Sequence, residues 1–167
     1  MDREIISGLK FSSTYKFDCY RDDKLVWTET KDNLVVNEGL DFALANIFGM
    51  AVKRKWYLGL IGAPAVISPD DTMISHSFEE YQGSVSIFRP RAKFEGAAVV
   101  DDTANYVSEN VQTIIGAPGT IHGAFLTSGE EQGGYDGILY GAVMLNASKP
   151  VVAGDSLLIT ITVKATG

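Results

Sequence analysis

Cysteine and positive charge are both scarce in this chain of 167 residues. Cys19 is the only cysteine, so the chain can form neither an intrachain disulfide nor a cluster of thiolate metal ligands. The 14 Lys and Arg residues stand against 21 Asp and Glu, which gives a formal net charge of −7. Because nucleic acids and anionic membrane surfaces are bound through a basic face, the composition argues against both as partners.

Long apolar runs are absent as well. No stretch approaches the ~18 apolar residues of a membrane span, and residues 1–4 lack the basic and apolar regions of a signal peptide. We therefore expect a soluble protein made without a cleaved signal. The 46% of hydrophobic residues can fill a core without disulfides or metal. We expect one domain over residues 1–167, with residues 1–8 as a candidate N-terminal arm.

The commonest pattern in the sequence is an alternation of apolar and polar residues, which is typical of β-strands. Residues 9–19 alternate and predict a half-buried strand, and Asp22 and Asp23 predict a two-residue turn that places Phe17 opposite Thr28. Further strands are predicted, between turns rich in Gly and Pro, at residues 25–30, 56–61, 84–93, 110–115, 120–128, 137–145 and 157–164. The fold class expected is mainly β: an antiparallel, jelly-roll-like β-sandwich with one amphipathic α-helix.

The helix is predicted over residues 37–48. Asn37 is the expected N-cap and Gly49 the expected C-terminal stop. The apolar residues at helical spacing are expected to pack against the sheet, and they are Leu40, Leu44, Ile47 and Phe48. On this prediction, replacing Leu44 by Asp buries an unpaired charge and costs several kcal/mol.

Two long polar segments, residues 62–83 and 129–136, are expected to be surface loops. The first is rich in Gly, Pro, Ser and Asp, with a helical turn predicted near residues 77–81. Loops of this length in a compact β protein are often ordered by a neighbour. We therefore expect protease to cut both first in the free protein, and a partner to protect at least one.

No arrangement of residues predicts catalysis. His76 falls in a loop and His122 in a strand, and a metal site that joins both to a carboxylate is left open but disfavoured. Nucleophile motifs are absent, and adjacent acidic pairs such as Glu79 and Glu80 are interpreted as solvated charges. The prediction is a protein that is not an enzyme and has no cofactor or metal site.

Local positive charge and one apolar pair are the candidate contacts with a partner. In an acidic chain, clustered cations are candidates for a docking surface. The alternative for Arg89, Arg91 and Lys93, which surround Pro90, is that their charge only protects a strand edge from pairing with another chain. Trp27 and Trp56 are interpreted as core residues, with interface anchors as the alternative. The candidate contact residues are Ile5, Ile6, Lys53, Arg54, Lys55, Arg89, Arg91 and Lys93.

Whole segments of the chain also show a resemblance. In order, they are residues 33–41 (NLVVNEGLD), 56–60 (WYLGL), 70–73 (DDTM), 79–81 (EEY), 121–126 (IHGAFL), 137–142 (GILYGA) and 151–157 (VVAGDSL). Together they resemble small virion structural proteins of tailed bacteriophages, and the resemblance runs from about residue 33 to 164. A compact acidic β protein without a coiled-coil stalk looks most like a capsid decoration, or cement, protein.

The resemblance implies a role without chemistry. A decoration protein is made in the bacterial host cytoplasm, binds the major capsid protein on the virion exterior, stabilises the shell, and carries no catalytic residues or cofactor. We expect it to self-associate on the capsid as a dimer or trimer. The alternatives are an enzyme, or a tail, neck or fibre module that binds glycans through exposed aromatics. For the glycan binder, the candidate aromatics are Trp27, Tyr81 and Tyr135.

Overall fold

The computed structural model describes residues 8, 10–96, 99 and 103–166. In this part of the chain, antiparallel strands and one helix make up the regular structure, so the mainly β prediction is confirmed. The elements are β1 Lys10–Arg21, β2 Lys24–Val35, α1 Asn37–Ile47, β3 Trp56–Ile61, β4 Arg91–Ala92, β5 Phe94–Gly96, β6 Thr103–Ser108, β7 Val111–Ile114, β8 Gly119–Thr127, β9 Leu139–Val151 and β10 Ser156–Thr166. No helix in the described residues is long and apolar enough to cross a membrane.

All the strands belong to one sheet, which curls nearly into a barrel. Its order is β4-β3-β8-β9-β2-β1-β10-β6-β5, with β7 following β6 along β10. Only Lys93 separates β4 from β5, yet β4 pairs with β3 and β5 pairs with β6. Residues 91–96 therefore link the two ends of the strand order. The structure confirms an antiparallel sheet but not the jelly-roll-like sandwich.

The first hairpin has the predicted turn and a different register. Asp22 and Asp23 both adopt positive φ, as a two-residue hairpin turn requires. However, Phe17 pairs with Glu29 rather than with the predicted Thr28, because a bulge shifts the register between Cys19 and Tyr20. The apolar parity of β1 is confirmed, since Cys19 is fully buried.

The segment predicted as a strand over residues 84–93 is mostly not a strand. Only Arg91–Ala92 forms one, and Val85 and Ile87 are exposed. Val85 N donates to Ile114 O while Arg89 N donates to Glu130 O, so the segment crosses between two elements instead of following one. The other later strands are confirmed with end shifts of one or two residues, except that β9 runs to Val151 rather than to residue 145. The sequence did not predict β5 and β6.

Residues 62–83 form the predicted long loop, but they are not purely a surface segment. The predicted helical turn near residues 77–81 is absent. Met73 and Phe78 are buried, and the Phe78 ring lies 4.9 Å from that of Phe125 in β8. A second apolar cluster therefore forms between this loop and the sheet, beside the main core enclosed by the strands.

The helix α1 is confirmed, but of the four residues predicted to pack against the sheet only Leu40 contacts the core. Leu44 is 46% exposed, Ile47 57% and Phe48 74%. Gly39 is the buried residue of the helix, and Phe42, Ala43 and Asn46 line a cavity against the sheet, about one position away from the predicted face. The helix is thus rotated by about one residue, because Gly39 lets its first turn approach the backbone of Tyr140 closely.

The ends of α1 agree only in part with the capping prediction. Val36 is the N-cap, and it makes no side-chain capping bond. Asn37 instead donates from its side chain to Asp70 Oδ1 at 2.8 Å. Gly49 follows the helix with φ of 67°, as the predicted stop requires.

The two ends of the barrel differ. At the end where β1 finishes, Arg21 donates to both carboxylate oxygens of the fully buried Asp155, at 2.7 and 2.8 Å. The hydroxyl of Tyr81, itself buried, donates to the backbone carbonyl of Ala117 there. We call this closed end the far end. The opposite end, where β3 begins and α1 lies, is called the mouth end.

Candidate functional site

The mouth end holds an aromatic cup with a volume of about 270 Å³. Its side chains come from strands on both sides of the barrel and from α1, and none of them is charged. They are Phe11, Phe42, Ala43, Asn46, Trp56, Phe94, Tyr106, Leu126, Tyr140 and Val163. Phe11 has the same parity as buried Tyr15 and Phe17, so strand alternation directs it inwards.

Three aromatic rings fix the wall of the cup next to α1. The rings of Phe42 and Trp56 meet edge to face at 5.3 Å, and those of Trp56 and Tyr140 at 5.8 Å. Each such pair contributes about 0.5–1.5 kcal/mol beyond the burial of its area. The wall is therefore preorganised, because α1 and the first residue of β3 hold each other in place.

Tyr140, one of the lining residues, carries a hydroxyl that is buried away from solvent. It is 7% exposed, and its hydroxyl has no hydrogen-bond partner among the described residues. Burial raises the pKa of Tyr140 to about 12, so the phenol is neutral near pH 7 and can donate. A buried donor without a partner costs about 1–3 kcal/mol.

An exposed apolar rim continues from α1 beside the cup. Its most exposed side chains follow the helix, with Phe48 at 74%, Met50 at 81% and Val52 at 76%. Monomeric proteins seldom expose neighbouring apolar side chains of this size without a partner for them. We define the apolar rim as Leu44, Ile47, Phe48, Met50 and Val52.

The predicted basic residues Lys53, Arg54 and Lys55 directly follow this rim. All three are exposed, and they immediately precede Trp56 of the cup. The chain therefore brings an apolar surface, an aromatic cup and three cations to one end of the molecule. The sequence predicted the cations but not the cup or the rim, because Leu44, Ile47 and Phe48 were expected to pack against the sheet.

The second predicted basic cluster does not form. Arg91 and Lys93 are exposed, but Arg89 is 3% exposed and cannot contact a partner. The prediction assumed that all three lie on one strand, whereas the chain is not a strand at Arg89. Ile5 and Ile6 lie outside the described residues.

Arg89 forms a buried ion pair that the sequence did not predict. It donates to both carboxylate oxygens of Glu80 at 2.8 Å, and to the carbonyls of Gly129 and Gly134 at 2.8 and 2.9 Å. The interpretation of Glu80 as a solvated charge is therefore wrong. Because Glu80 and Arg89 lie nine residues apart in irregular chain, no periodicity signals the pair. It ties residues 62–83 to the loop that follows β8.

A polar cleft of about 300 Å³ lies over this ion pair. The rings of His76 and Phe78 stack at 3.8 Å, and His76 Nδ1 lies 2.9 Å from Phe78 O. Burial lowers the pKa of His76, while Glu80 and Arg89 are committed to each other. Glu79 also lines the cleft, but among the described residues no hydrogen bond joins it to His76.

Other chemical candidates also lack partners. Burial raises the pKa of the Cys19 thiol to about 11, which makes it inert near neutral pH. In the described ranges, no three His, Cys, Asp or Glu side chains lie close enough to hold a metal ion. Of the three aromatics proposed for glycan binding, only Tyr135 is exposed, because Trp27 packs against the core and Tyr81 is within it.

Comparison with known proteins assigns no family. No family model, no curated protein and no solved structure matches the chain. The function must therefore be argued from the mouth end itself.

Proposed function

We propose that this chain is a non-enzymatic structural protein of a tailed-phage virion that binds the outer capsid surface and stabilises the shell. The observation that carries the proposal is the composition of the mouth end. There, the apolar rim and the aromatic cup adjoin three exposed cations on a molecule whose net charge is −7. The resemblance of residues 33–164 to virion structural proteins supports the choice of partner.

The physical chemistry of docking supports this orientation. A stable contact buries about 1,000 Å² or more, usually with apolar side chains at its centre and charges at its rim. If the shell is acidic, Lys53, Arg54 and Lys55 offset the long-range repulsion between shell and protein. The far end also exposes apolar side chains, such as Leu25 at 52% and Val85 at 68%, but no run of three cations adjoins them in the sequence.

The proposal also includes a jelly-roll-like β-sandwich as the architecture of the sheet. Residues from β1 and β10 on one side pack with residues from β3 and β8 on the other in a single core. A flattened barrel of this kind is compatible with a jelly-roll-like sandwich. We propose that the protein sits on the virion exterior, contacts the major capsid protein and self-associates there as a dimer or trimer.

Cosedimentation with empty expanded capsids tests the function. We expect the wild-type protein to pellet with capsids and the Arg54→Glu variant to bind at least about tenfold more weakly, because like charges would face each other. Lys24→Glu makes the same charge change at the exposed far-end turn and serves as the matched control. Its affinity should equal that of the wild type.

Two results would contradict the proposal. Failure of the folded wild-type protein to bind capsids would remove the decoration role, and electron microscopy showing the protein on the tail would assign it there instead. Equal weakening by Lys24→Glu and Arg54→Glu would show that net charge, rather than the mouth end, governs binding.

A further inference from the structure

A groove of about 270 Å³ lies between β7 and residues 84–90. Its two walls are joined where Val85 N donates to Ile114 O at 2.9 Å. Three of its apolar lining residues are exposed, Val85 at 68%, Phe88 at 46% and Ile114 at 39%. We propose that two copies of the chain bind each other here across a two-fold axis, each inserting Ile87 into the groove of the other. This inference deepens the proposed function, on which it rests, because it names the surface used for self-association.

Ile87 is the projecting part of this surface. Residues 85–87 form a bend beside the groove, and the hydroxyl of Ser86 holds the bend by accepting a hydrogen bond from Phe88 N at 3.0 Å. Ile87 is 73% exposed and does not itself line the groove, although Ser86 and Phe88 on either side of it do. The chain therefore presents an exposed apolar side chain, on a fixed bend, directly beside an apolar groove.

A projecting side chain next to a groove makes this surface complementary to itself. In a two-fold contact the same patch of both copies meets, so Ile87 of each copy can contact the groove of the other. The volume is sufficient, because an apolar cavity of about 150 Å³ holds the six carbons of benzene and an Ile side chain has only four. Since projection and groove are neighbours in the chain, both contacts form at once and the pair closes. A larger ring would need them on separate parts of the surface.

The groove also avoids the repulsion that opposes self-association of a charged protein. Each copy has a net charge of −7, so contact between copies is least opposed where exposed charge is absent. Arg89 is the one charged residue that lines the groove, and it is 3% exposed and paired with Glu80. Glu130 and Glu131 adjoin the segment 84–90 and are exposed, so solvent and salt screen their charges. An acidic or basic partner would find no free charge in the groove to recognise.

Sedimentation equilibrium of the protein without capsids tests the inference directly. We expect the wild type to dimerise with a Kd on the order of 100 µM or tighter. Ile87→Asp should dimerise at least about tenfold more weakly, because it would bring a carboxylate into the apolar groove. Ile74→Asp is the matched control, since Ile74 is 82% exposed, lies outside the groove and gives the same change in net charge. Its Kd should equal that of the wild type.

A second pair of variants tests the reciprocal contact. Ile87→Lys changes the projecting side chain and Val85→Asp changes the groove, and both residues are exposed, so both variants should fold. Each variant alone should dimerise at least about tenfold more weakly than the wild type. Mixed in equal amounts, they should form a heterodimer about tenfold more tightly than either forms a homodimer, because the introduced lysine of one copy would meet the introduced aspartate of the other.

Four results would overturn the inference: a wild type that stays monomeric up to about 1 mM, a trimer in place of the dimer, equal weakening by Ile87→Asp and Ile74→Asp, or no gain from mixing the second pair. A monomeric wild type whose residues 85–88 gain protection from hydrogen exchange only on capsids would assign the groove to the shell instead. Failure of the proposed function looks different. A wild type that dimerises but does not bind capsids would remove the decoration role and leave the dimer contact intact.

Discussion

The side chain of Arg89 uses its donors on three different partners. Two donors meet Glu80, and the backbone carbonyls of Gly129 and Gly134 accept the others. A guanidinium supplies this fork of donors, and the ammonium of Lys does not. The pair is also nearly free of solvent, with side-chain exposures of 1% for Arg89 and 6% for Glu80. Neither partner can be removed without leaving a buried charge.

We expect Arg89→Met to lower the free energy of unfolding by about 3–5 kcal/mol, because it leaves Glu80 buried without its counter-ion. Arg91→Met is the matched control, since Arg91 is exposed and its replacement should change stability by less than about 0.5 kcal/mol. Urea denaturation measures both. Similar decreases in the free energy of unfolding for the two variants would mean that the buried ion pair does not stabilise the fold more than an exposed arginine does.

Asp155 gives stability that depends on pH. Hydrogen bonds from Arg21 hold the pKa of Asp155 below its ordinary value of about 3.9. A lowered folded-state pKa contributes stability that is present above the unfolded value and is lost as pH falls through the folded value. We expect Asp155→Asn to be less stable than the wild type at neutral pH, and the difference to shrink below about pH 4. A difference that stays constant down to about pH 2 would contradict this.

At the scale of elements, the rotation of α1 reverses the expected effect of a substitution. Leu44 is 46% exposed, so Leu44→Asp should change stability by less than about 1 kcal/mol instead of several. A Cβ at Gly39 would lie 2.2 Å from Tyr140 O, and Gly39→Ala should cost about 1–3 kcal/mol through overpacking. The melting temperatures of the two variants, compared with that of the wild type, test which face of the helix is buried. A greater loss for Leu44→Asp would restore the predicted orientation.

The long loops give a second prediction at this scale. Buried Met73 and Phe78, with the ion pair of Glu80 and Arg89, hold residues 62–83 on the sheet. We therefore expect the free wild-type protein to resist protease there, contrary to the expectation from the sequence. Arg89→Met should open residues 62–83 and 129–136 together, and mass spectrometry of the fragments would show it. Rapid cutting of the wild type within residues 62–83 would contradict the packing.

The elements show what the sequence could and could not predict. Alternation along β1 and β10 identifies strands, since one face of each is buried. The same reasoning fails for Leu44 and Phe48, because apolar periodicity is identical whether a helix faces its own core or a partner. It also fails for Arg89 and Glu80, which meet through tertiary contact alone. Position in sequence cannot show which loops a buried ion pair will join.

At the scale of the whole molecule, the two ends of the barrel differ in what they expose. The far end is closed by Tyr81 and by the bonds between Arg21 and Asp155, although Leu25 and Val85 are exposed beside it. The mouth end retains exposed apolar side chains, at some cost in solubility. The net charge of −7 offsets that cost, because charged molecules repel one another in solution.

Under the proposed capsid-binding function, this asymmetry predicts which end is covered. We expect hydrogen exchange to slow, on capsid binding, in residues 44–56 at the mouth end. The turn at Asp22 and Asp23 and the one at Gly154 lie at the far end and should exchange at the same rate, free or bound. Binding that shields an interface protects its own backbone amides first, because exchange requires local opening and access of solvent. Protection at Asp22 and Gly154, with none at the mouth end, would reverse the orientation. The exposed apolar rim would then have to be explained by contact between copies of the chain.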